Sequence, residues 1–470
     1  MTRSGLKLLG IASTVAMGGF LVGFDAAVIS GAVPFIREYF GLTGGADALK
    51  LGWAVSSLGW GALVGNVAAG VLSDRLGRKS VLLLTAILFL IASLTAATAT
   101  NFALFIAARI CGGIGVGAAI LIAPVYIAEI APARSRGSLV SLNQLMIVIG
   151  ISASFFSNYF LLSLGTESWR WMLGVQAIPA ALYFLLLLLV PESPRWLLSK
   201  GREQQALAVL GSVHGEASVR QVLEGIRSSL SEKPKTFGLQ GLLAGLRDLL
   251  TPRMRKVMIF GLGIAFFQQA TGINAIFYYL PTIFAQAGGG LATAFGQSVF
   301  VGLVNVGMTF VAIWLIDRLG RKPLLCIGIV GMTVSLLTIG WAFATHTSSV
   351  GNTVVNHPQA VLIAIAAFVA SFAISLGPVM WVLLSEIFPN ERRAAAIAVV
   401  GFWNSLVSSS VTLLFPFALA TLGPSGTFLS FATISALGFV FIVMLAPETK
   451  GRTLEELEEI LAPAKPALES

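Results

Sequence analysis

Long apolar runs alternate with short polar segments from one end of the chain to the other. Twelve runs reach about the 20 residues that a helix needs to cross roughly 30 Å of hydrocarbon. They lie at about 8–30, 51–72, 80–99, 102–128, 138–162, 171–190, 257–285, 293–316, 323–345, 359–385, 394–421 and 425–446. None shows the strict alternation of a lipid-facing β-strand, so each is predicted to be a helix. The pattern predicts an all-α membrane protein with twelve transmembrane helices, called spans 1 to 12 below.

Composition and charge agree with a membrane protein and set its orientation. Only 11% of the 470 residues are charged, against about 25% in soluble domains. With the N-terminus inside, all of the 30 Lys and Arg residues fall in inner segments except Arg37, Lys50, Arg109 and Arg170. We therefore expect a multi-pass protein of the cell membrane, specifically an inner membrane, with both termini cytoplasmic. The net charge of +9 is explained by this asymmetry, and no nucleic-acid partner is expected.

Three charged motifs occur twice in the same order, which predicts two six-helix halves. The pairs are DRLGRK at 74–79 and 317–322, AEIAPARSRG at 128–137 with SEIFPNERRA at 385–394, and PESPRW at 191–196 with PETKGR at 447–452. The predicted boundaries are an N-terminal half at 1–192, a cytoplasmic helical linker at 193–252, a C-terminal half at 253–448 and a cytoplasmic tail at 449–470. Small cytoplasmic helices are predicted at 216–230 and 452–461.

The motifs taken together resemble the sugar porter family of the major facilitator superfamily. They are the two DRLGRK blocks, PESPRWLL, QQATGINAIFYYLP at 268–281, GPVMWVLLSEIFP at 377–389 and PETKGRTLEELE at 447–458. The resemblance covers essentially the whole chain and points to bacterial proton-coupled symporters of xylose, glucose or galactose. It implies the major facilitator fold and secondary active transport by alternating access rather than enzymatic activity.

Amide side chains in span 7 are the first candidates for binding a sugar. A neutral, hydroxyl-rich ligand needs donors and acceptors that replace water, and amides supply both without a charge in the bilayer. Gln268, Gln269 and Asn274 lie within two helical turns. Gly272 and Pro281 bracket the segment and permit the local bending seen in broken transporter helices.

Other spans add further candidates, namely Gln144, Asn305, Asn404, Tyr279 and the flat face of Trp381. The resemblance implies sugar contacts for Gln144, Gln268, Gln269, Asn274 and Trp381, whereas Asn305 and Asn404 match contacts of glucose uniporters. The alternative is that such amides join neighbouring helices.

Two departures from the family leave the sugar open. Phe402 stands where bacterial xylose symporters have glutamine, and Ala373 stands where animal glucose uniporters have glutamate. Glucose, galactose, xylose, arabinose and inositol all stay compatible.

Among the predicted spans, Asp25 is the only acidic residue and Arg109 the only basic residue that lies well inside one. An isolated charge there is costly, so the two are predicted to pair, and both fall in the outer half of the bilayer. A carboxylate beside arginine keeps its charge, whereas one buried away from it takes up a proton. If transport changes their distance, the pair can load a proton outside and release it inside. The resemblance implies the same role, because proton-coupled porters carry Asp and Arg at these places and animal uniporters carry Asn for Asp. A static structural pair is the alternative.

Charged residues at the inner ends of the spans are predicted to form gating ion pairs rather than sugar ligands. They are Asp74, Arg75, Arg78, Glu129, Arg136, Glu192, Asp317, Arg318, Arg321, Glu386, Arg392 and Glu448. Simple anchoring by positive charge is the alternative.

The sequence therefore predicts a proton-coupled monosaccharide symporter, expected to be monomeric in a lipid bilayer and to use no cofactor or metal. A facilitative sugar uniporter is the second hypothesis. A membrane sugar sensor is the third, but such a protein would be expected to carry a long signalling tail. No Walker A motif, metal-ligand cluster or nucleophile elbow is present, and His214, His346 and His357 lie outside the spans.

Overall fold

The computed structural model describes most of the chain as helices. The described residues are 3–42, 45–132, 135–214, 219, 222–227, 249, 251–349, 352–389, 392–450 and 456. In this part of the chain, ten helical stretches are long and apolar enough to cross a membrane. Two of them, Arg136–Leu189 with 54 residues and Ala395–Leu445 with 51, are each long enough for two crossings. The prediction of an all-helical membrane fold is confirmed in its main feature.

The described residues up to His214 contain nine helices and two short 3₁₀ turns, Gly45–Asp47 and Leu162–Glu167. The helices are α1 (Arg3–Tyr39), α2 (Ala48–Leu76), α3 (Arg78–Ala97), α4 (Phe102–Ile130), α5 (Arg136–Leu161), α6 (Ser168–Gly174), α7 (Ala177–Leu189), α8 (Pro194–Ser199) and α9 (Glu203–His214).

The second half of the described chain adds eight helices and one small hairpin. The elements are α10 (Pro252–Ala270), α11 (Ile273–Tyr278), α12 (Leu280–Gln286), α13 (Leu291–Leu319), α14 (Arg321–Ala344), β1 (His346–Ser349), β2 (Asn352–Val355), α15 (Pro358–Ile374), α16 (Leu376–Ile387) and α17 (Arg393–Leu445). The antiparallel hairpin β1–β2 was not predicted from the apolar pattern. It lies in the polar connection between spans 9 and 10, which that pattern does not describe.

The chain forms two compact units. One consists of Met1–Leu42 and Trp53–Lys235, the other of Thr43–Gly52 and Thr236–Ser470. The boundaries predicted at 192, 252 and 448 stay predictions. In the linker helix predicted at 216–230, residues 219 and 222–227 are described and are helical. In the tail helix predicted at 452–461, residue 456 alone is described.

Apolar stripes on the helix surfaces fit a hydrocarbon environment. On α14, Ile327, Val330, Val334, Leu337 and Trp341 recur at helical spacing, and all are exposed. A continuous apolar face of this kind is unusual on a soluble monomer, whereas it suits a helix that faces lipid.

Candidate functional site

The segment of span 7 is divided into one long helix and two short ones. α10 ends at Ala270 and α11 begins at Ile273, and Gly272 between them has a φ of 87°, which glycine adopts without the strain of a side chain. Pro281 lies in the first turn of α12, where its missing N–H costs no helical hydrogen bond. The local bending predicted for this segment is therefore present.

Amide side chains beside this break form a hydrogen-bonded cluster, called the amide cluster below. Gln268 Oε1 accepts from Gln269 Nε2 at 3.2 Å and from Asn404 Nδ2 at 2.7 Å. Gln268 Nε2 donates to the carbonyl oxygen of Leu376 at 2.8 Å. Gln269 Nε2 also donates to Asn404 Oδ1 at 3.1 Å, which joins α10 to α17.

Asn274 extends the amide cluster into α11. Its Nδ2 donates to Gln269 Oε1 at 2.9 Å and to Ser408 Oγ at 2.7 Å. Ser408 was missed in the sequence reasoning, although it lies one helical turn after Asn404 and therefore on the same face of α17. Gln268, Gln269 and Asn404 are buried and Asn274 is half-buried. The cluster offers paired donors and acceptors that a sugar hydroxyl could share or replace.

The other predicted sugar contacts lie outside these hydrogen bonds. Tyr279 is buried with its ring 5.1 Å from that of Phe415, and its hydroxyl has no partner among the described residues. Asn305 is buried in α13, and Trp381 is 41% exposed on α16. Gln144 is exposed on α5, in the other compact unit.

Asp25 and Arg109 form a buried ion pair in the first unit. Arg109 Nη1 donates to Asp25 Oδ1 at 2.5 Å, and both residues are less than 5% exposed. The pair joins α1 to α4. Two more donors of the guanidinium, Nε and Nη2, are buried without a hydrogen-bond partner in the described part of the chain. Arg109 therefore compensates the charge of Asp25 and keeps donors that a rearranged carboxylate could use.

The repeated motifs of the first unit meet in one group of charges, called cluster N below. Arg78 donates from Nε and Nη2 to the two carboxylate oxygens of Glu129, each at 3.1 Å. Glu192 accepts from the backbone N–H of Arg78 at 2.9 Å and from that of Lys79 at 3.1 Å. Ser193 Oγ donates to Glu129. Residues from three separate motifs are therefore in direct contact.

The second unit contains the corresponding group, cluster C. Arg321 Nη2 donates to Glu386 Oε1 at 2.8 Å, and Thr449 Oγ1 donates to Glu386 Oε2 at 2.5 Å. Glu448 accepts from the backbone N–H groups of Arg321 at 3.2 Å and Lys322 at 3.1 Å. The hydroxyls of Ser193 and Thr449 were missed in the sequence reasoning, although PES and PET place a hydroxyl at the same position.

The pKa of Glu448 is shifted by two opposing causes. Burial raises the pKa, but the backbone N–H groups of Lys450, Arg321, Lys322 and Thr449 donate to the carboxylate, and the net effect lowers it. Glu448 therefore holds its negative charge firmly at neutral pH.

The remaining predicted gate residues lie around these clusters. Asp74 Oδ1 is 3.3 Å from Arg78 Nη1, and Arg75 and Arg136 are exposed. Arg318 stacks on Trp314 with 4.0 Å from its Cζ to the ring centroid. Arg392 Nη1 is 3.4 Å from Thr251 Oγ1. The Asp317 side chain lies outside the described part of the chain.

Known proteins similar to this chain include sugar transporters. The family model described as "Sugar (and other) transporter" matches residues 11–461. The arabinose-proton symporter of Bacillus subtilis is 38% identical over 96% of this chain and 94% of that protein. The D-xylose-proton symporter of Escherichia coli K12 is 36% identical over 97% of this chain and 96% of that protein.

A solved structure agrees with these relatives. The structure of the xylose transporter XylE from E. coli in a partially occluded inward open conformation matches with a TM-score of 0.82 and 33% identity. The match covers 95% of this chain and 99% of that one. The resemblance inferred from the motifs is confirmed, and the chain belongs to the sugar transporter family of the major facilitator superfamily.

Proposed function

We propose that this protein is a secondary active transporter that carries a monosaccharide together with a proton by alternating access. The observation that carries the proposal is the buried pair of Asp25 and Arg109, with 2.5 Å between Oδ1 and Nη1. A carboxylate that is almost wholly removed from water can change its charge only by exchanging a proton. Relatives named as proton symporters of arabinose and xylose support the coupling.

The amide cluster is proposed to bind the sugar. Gln268, Gln269 and Asn274 supply neutral donors and acceptors beside the break at Gly272, and Asn404 joins them from α17. Ring hydroxyls can exchange with these amide hydrogen bonds at little net cost, because each lost bond is replaced. Gln144, Asn305, Tyr279 and Trp381 are proposed as further contacts.

Clusters N and C are proposed to act as gates at the inner ends of the spans.

The molecule is proposed to work as a monomer in the cell membrane, with both termini in the cytoplasm. The asymmetric distribution of Lys and Arg supports this orientation of the termini. The halves are proposed to extend over 1–192 and 253–448, with the linker at 193–252 and the tail at 449–470.

The test of the proposal is sugar-induced proton movement. Cells that express the protein in weakly buffered medium should make the medium alkaline when the transported sugar is added. Asp25→Asn should abolish this alkalinisation and the accumulation of sugar, but should retain exchange of labelled for unlabelled sugar. The control is Asp47→Asn, which changes an aspartate that pairs with the exposed Lys50. Uptake by the wild type with no change in pH would contradict symport.

A facilitative uniporter is the second candidate function. It is favoured by one observation, namely that Asp25 and Arg109 lie in the same compact unit, so their contact can persist throughout transport. The same experiment decides between the two, because a uniporter with a static pair equilibrates sugar without moving protons.

A further inference from the structure

The two carboxylate oxygens of Asp25 have different surroundings. Oδ1 accepts the hydrogen bond from Arg109, whereas Oδ2 accepts none from the described residues. Oδ2 faces the backbone of Gly112 on α4: a Cβ built on Gly112 would lie 3.0 Å from it. The same Cβ would lie 3.2 Å from the Cβ of Ala92 and 3.6 Å from Cδ1 of Leu58. The free oxygen therefore lies beside a small gap enclosed by α2, α3 and α4.

A residue with a side chain would fill this gap. A separation of 3.0 to 3.2 Å from a Cβ to its neighbours is tighter than ordinary van der Waals contact, and the closest neighbours here are a carboxylate oxygen and a helical alanine. Alanine is otherwise the better residue in the interior of a helix. Glycine at position 112 therefore lowers the stability of the helix, but it leaves the space beside Asp25 Oδ2 empty.

We propose that Gly112 is a positioning residue for proton coupling, because its missing side chain keeps open the space in which Asp25 Oδ2 takes up and releases the proton. This inference rests on the proposed symport. Oδ1 stays bonded to Arg109 while the proton joins Oδ2, which needs room for an O–H bond and for a small rotation of the carboxyl group. The nearest atoms of α2 and α3 to a Cβ at Gly112 belong to the apolar Leu58 and Ala92.

Three other titratable groups of the described residues bear on Asp25. Arg109 and Cys111 lie on α4, and the hydroxyl of Tyr183 on α7 lies against Gly18, about two helical turns from Asp25 on α1. Arg109 keeps its charge at all relevant pH values. Cysteine and tyrosine side chains ordinarily titrate above pH 8. A change in the pH profile between pH 5 and 8 on changing Gly112 is therefore attributed to Asp25.

The test compares Gly112→Ala with Gly115→Ala. A Cβ at Gly115, one turn further along α4, would have its nearest neighbours at 3.5 Å, so the control adds the same methyl without crowding. In Gly112→Ala the methyl occupies the room that the O–H bond on Oδ2 needs, so it hinders protonation there. We expect the pH profile of sugar accumulation to move to lower pH by about one unit. The accumulation ratio should fall at least about fivefold, and sugar exchange should stay within about twofold of the wild type.

Two further variants keep the test decisive. Ala92→Val narrows the same gap from α3 and should shift the pH profile in the same direction. It replaces Gly112→Ala if that variant does not fold. Ala92→Gly combined with Gly112→Ala should restore part of the loss. The inference is overturned if Gly112→Ala has a normal pH profile and accumulation ratio. If that variant does not fold, the same result in Ala92→Val overturns it. An equal effect of Gly115→Ala also overturns it. Absence of proton movement in the wild type overturns the symport itself and is seen separately in the alkalinisation assay.

Discussion

Gln268 is the residue with the most connections in the amide cluster. Its side chain bonds Gln269, Asn404 and the backbone of Leu376 while it is only 3% exposed. Such a residue can stabilise the fold, bind the ligand, or do both. The two roles differ in what happens when sugar is added.

Gln268→Ala should raise the KM for sugar by about 10- to 100-fold, because each unpaired buried polar group costs about 1–3 kcal/mol. It should also reduce the increase in melting temperature that saturating sugar produces in the purified protein. Gln286→Ala, which changes an exposed glutamine at the end of α12, is the matched control. If Gln268→Ala lowers the melting temperature but keeps the wild-type KM and sugar-induced shift, the cluster is structural.

At the scale of the element, Glu448 lies just after the end of α17 and accepts hydrogen bonds from backbone N–H groups. Because the pKa of Glu448 is lower in the folded protein than in the unfolded chain, the Glu448 carboxylate contributes to stability at pH values above the unfolded pKa. That contribution is lost as the pH falls through the folded value. Glu448→Gln should therefore lower the melting temperature at pH 7 by about 2 °C.

The difference between Glu448→Gln and the wild type should shrink as the pH falls below about 4.3, the usual pKa of glutamate, and should close once the pH passes below the lower pKa of the folded protein. Thermal unfolding of the purified protein at pH 7, 5 and 3 measures this. Glu38→Gln changes an exposed glutamate near the end of α1 and should show no such dependence. A constant difference at all three pH values would refute a contribution from the carboxylate charge.

The hydroxyl of Thr449 connects the tail of α17 to Glu386 on α16. Thr449→Val keeps the shape of the side chain and removes the donor, so it should destabilise the protein by about 1–2 kcal/mol. Thr449→Ser should stay close to the wild type. Thr421→Val, at an exposed position of α17, is the control for the change in chemistry. Equal stability of Thr449→Val and Thr449→Ser would mean that the hydroxyl contributes nothing.

The sequence predicted elements and motifs better than contacts. The twelve apolar runs predicted the crossings, and the paired motifs predicted a repeated architecture, because both depend on local patterns. The bond from Asn274 to Ser408 joins residues 134 positions apart. It depends on how α11 and α17 pack, which no local pattern encodes. The hairpin β1–β2 was missed because it lies in a polar connection, and its strands have only four residues each.

At the scale of the whole molecule, clusters N and C repeat one arrangement in both units. Arg78 and Arg321 each bind a glutamate at the inner end of the span that follows their own. Glu192 and Glu448 accept from backbone N–H groups that follow a glycine with positive φ. In DRLGRK that glycine is Gly77 or Gly320. A side chain at either place would approach the glutamate, so the identical motif and the identical contact have the same cause.

This repetition predicts how substitutions combine. Arg78→Gln and Glu129→Gln remove the same contact, so the double variant should cost about 1–2 kcal/mol less than the sum of the single variants. The same coupling is expected between Arg321→Gln and Glu386→Gln. Arg78→Gln with Glu386→Gln should be additive within about 0.5 kcal/mol, because each described ion pair lies inside one unit.

Thermal stability of purified variants supplies these double-mutant cycles, and the rate of sugar exchange supplies a second set. Coupling of Arg78 with Glu386 as strong as with Glu129 would contradict the view that each cluster is a self-contained unit. If the coupling within a unit is seen in thermal stability but not in the rate of sugar exchange, the clusters stabilise the helix ends and do not act as gates. Coupling that appears in the exchange rate is the result expected of gates, because ion pairs that break in each cycle contribute to its barrier.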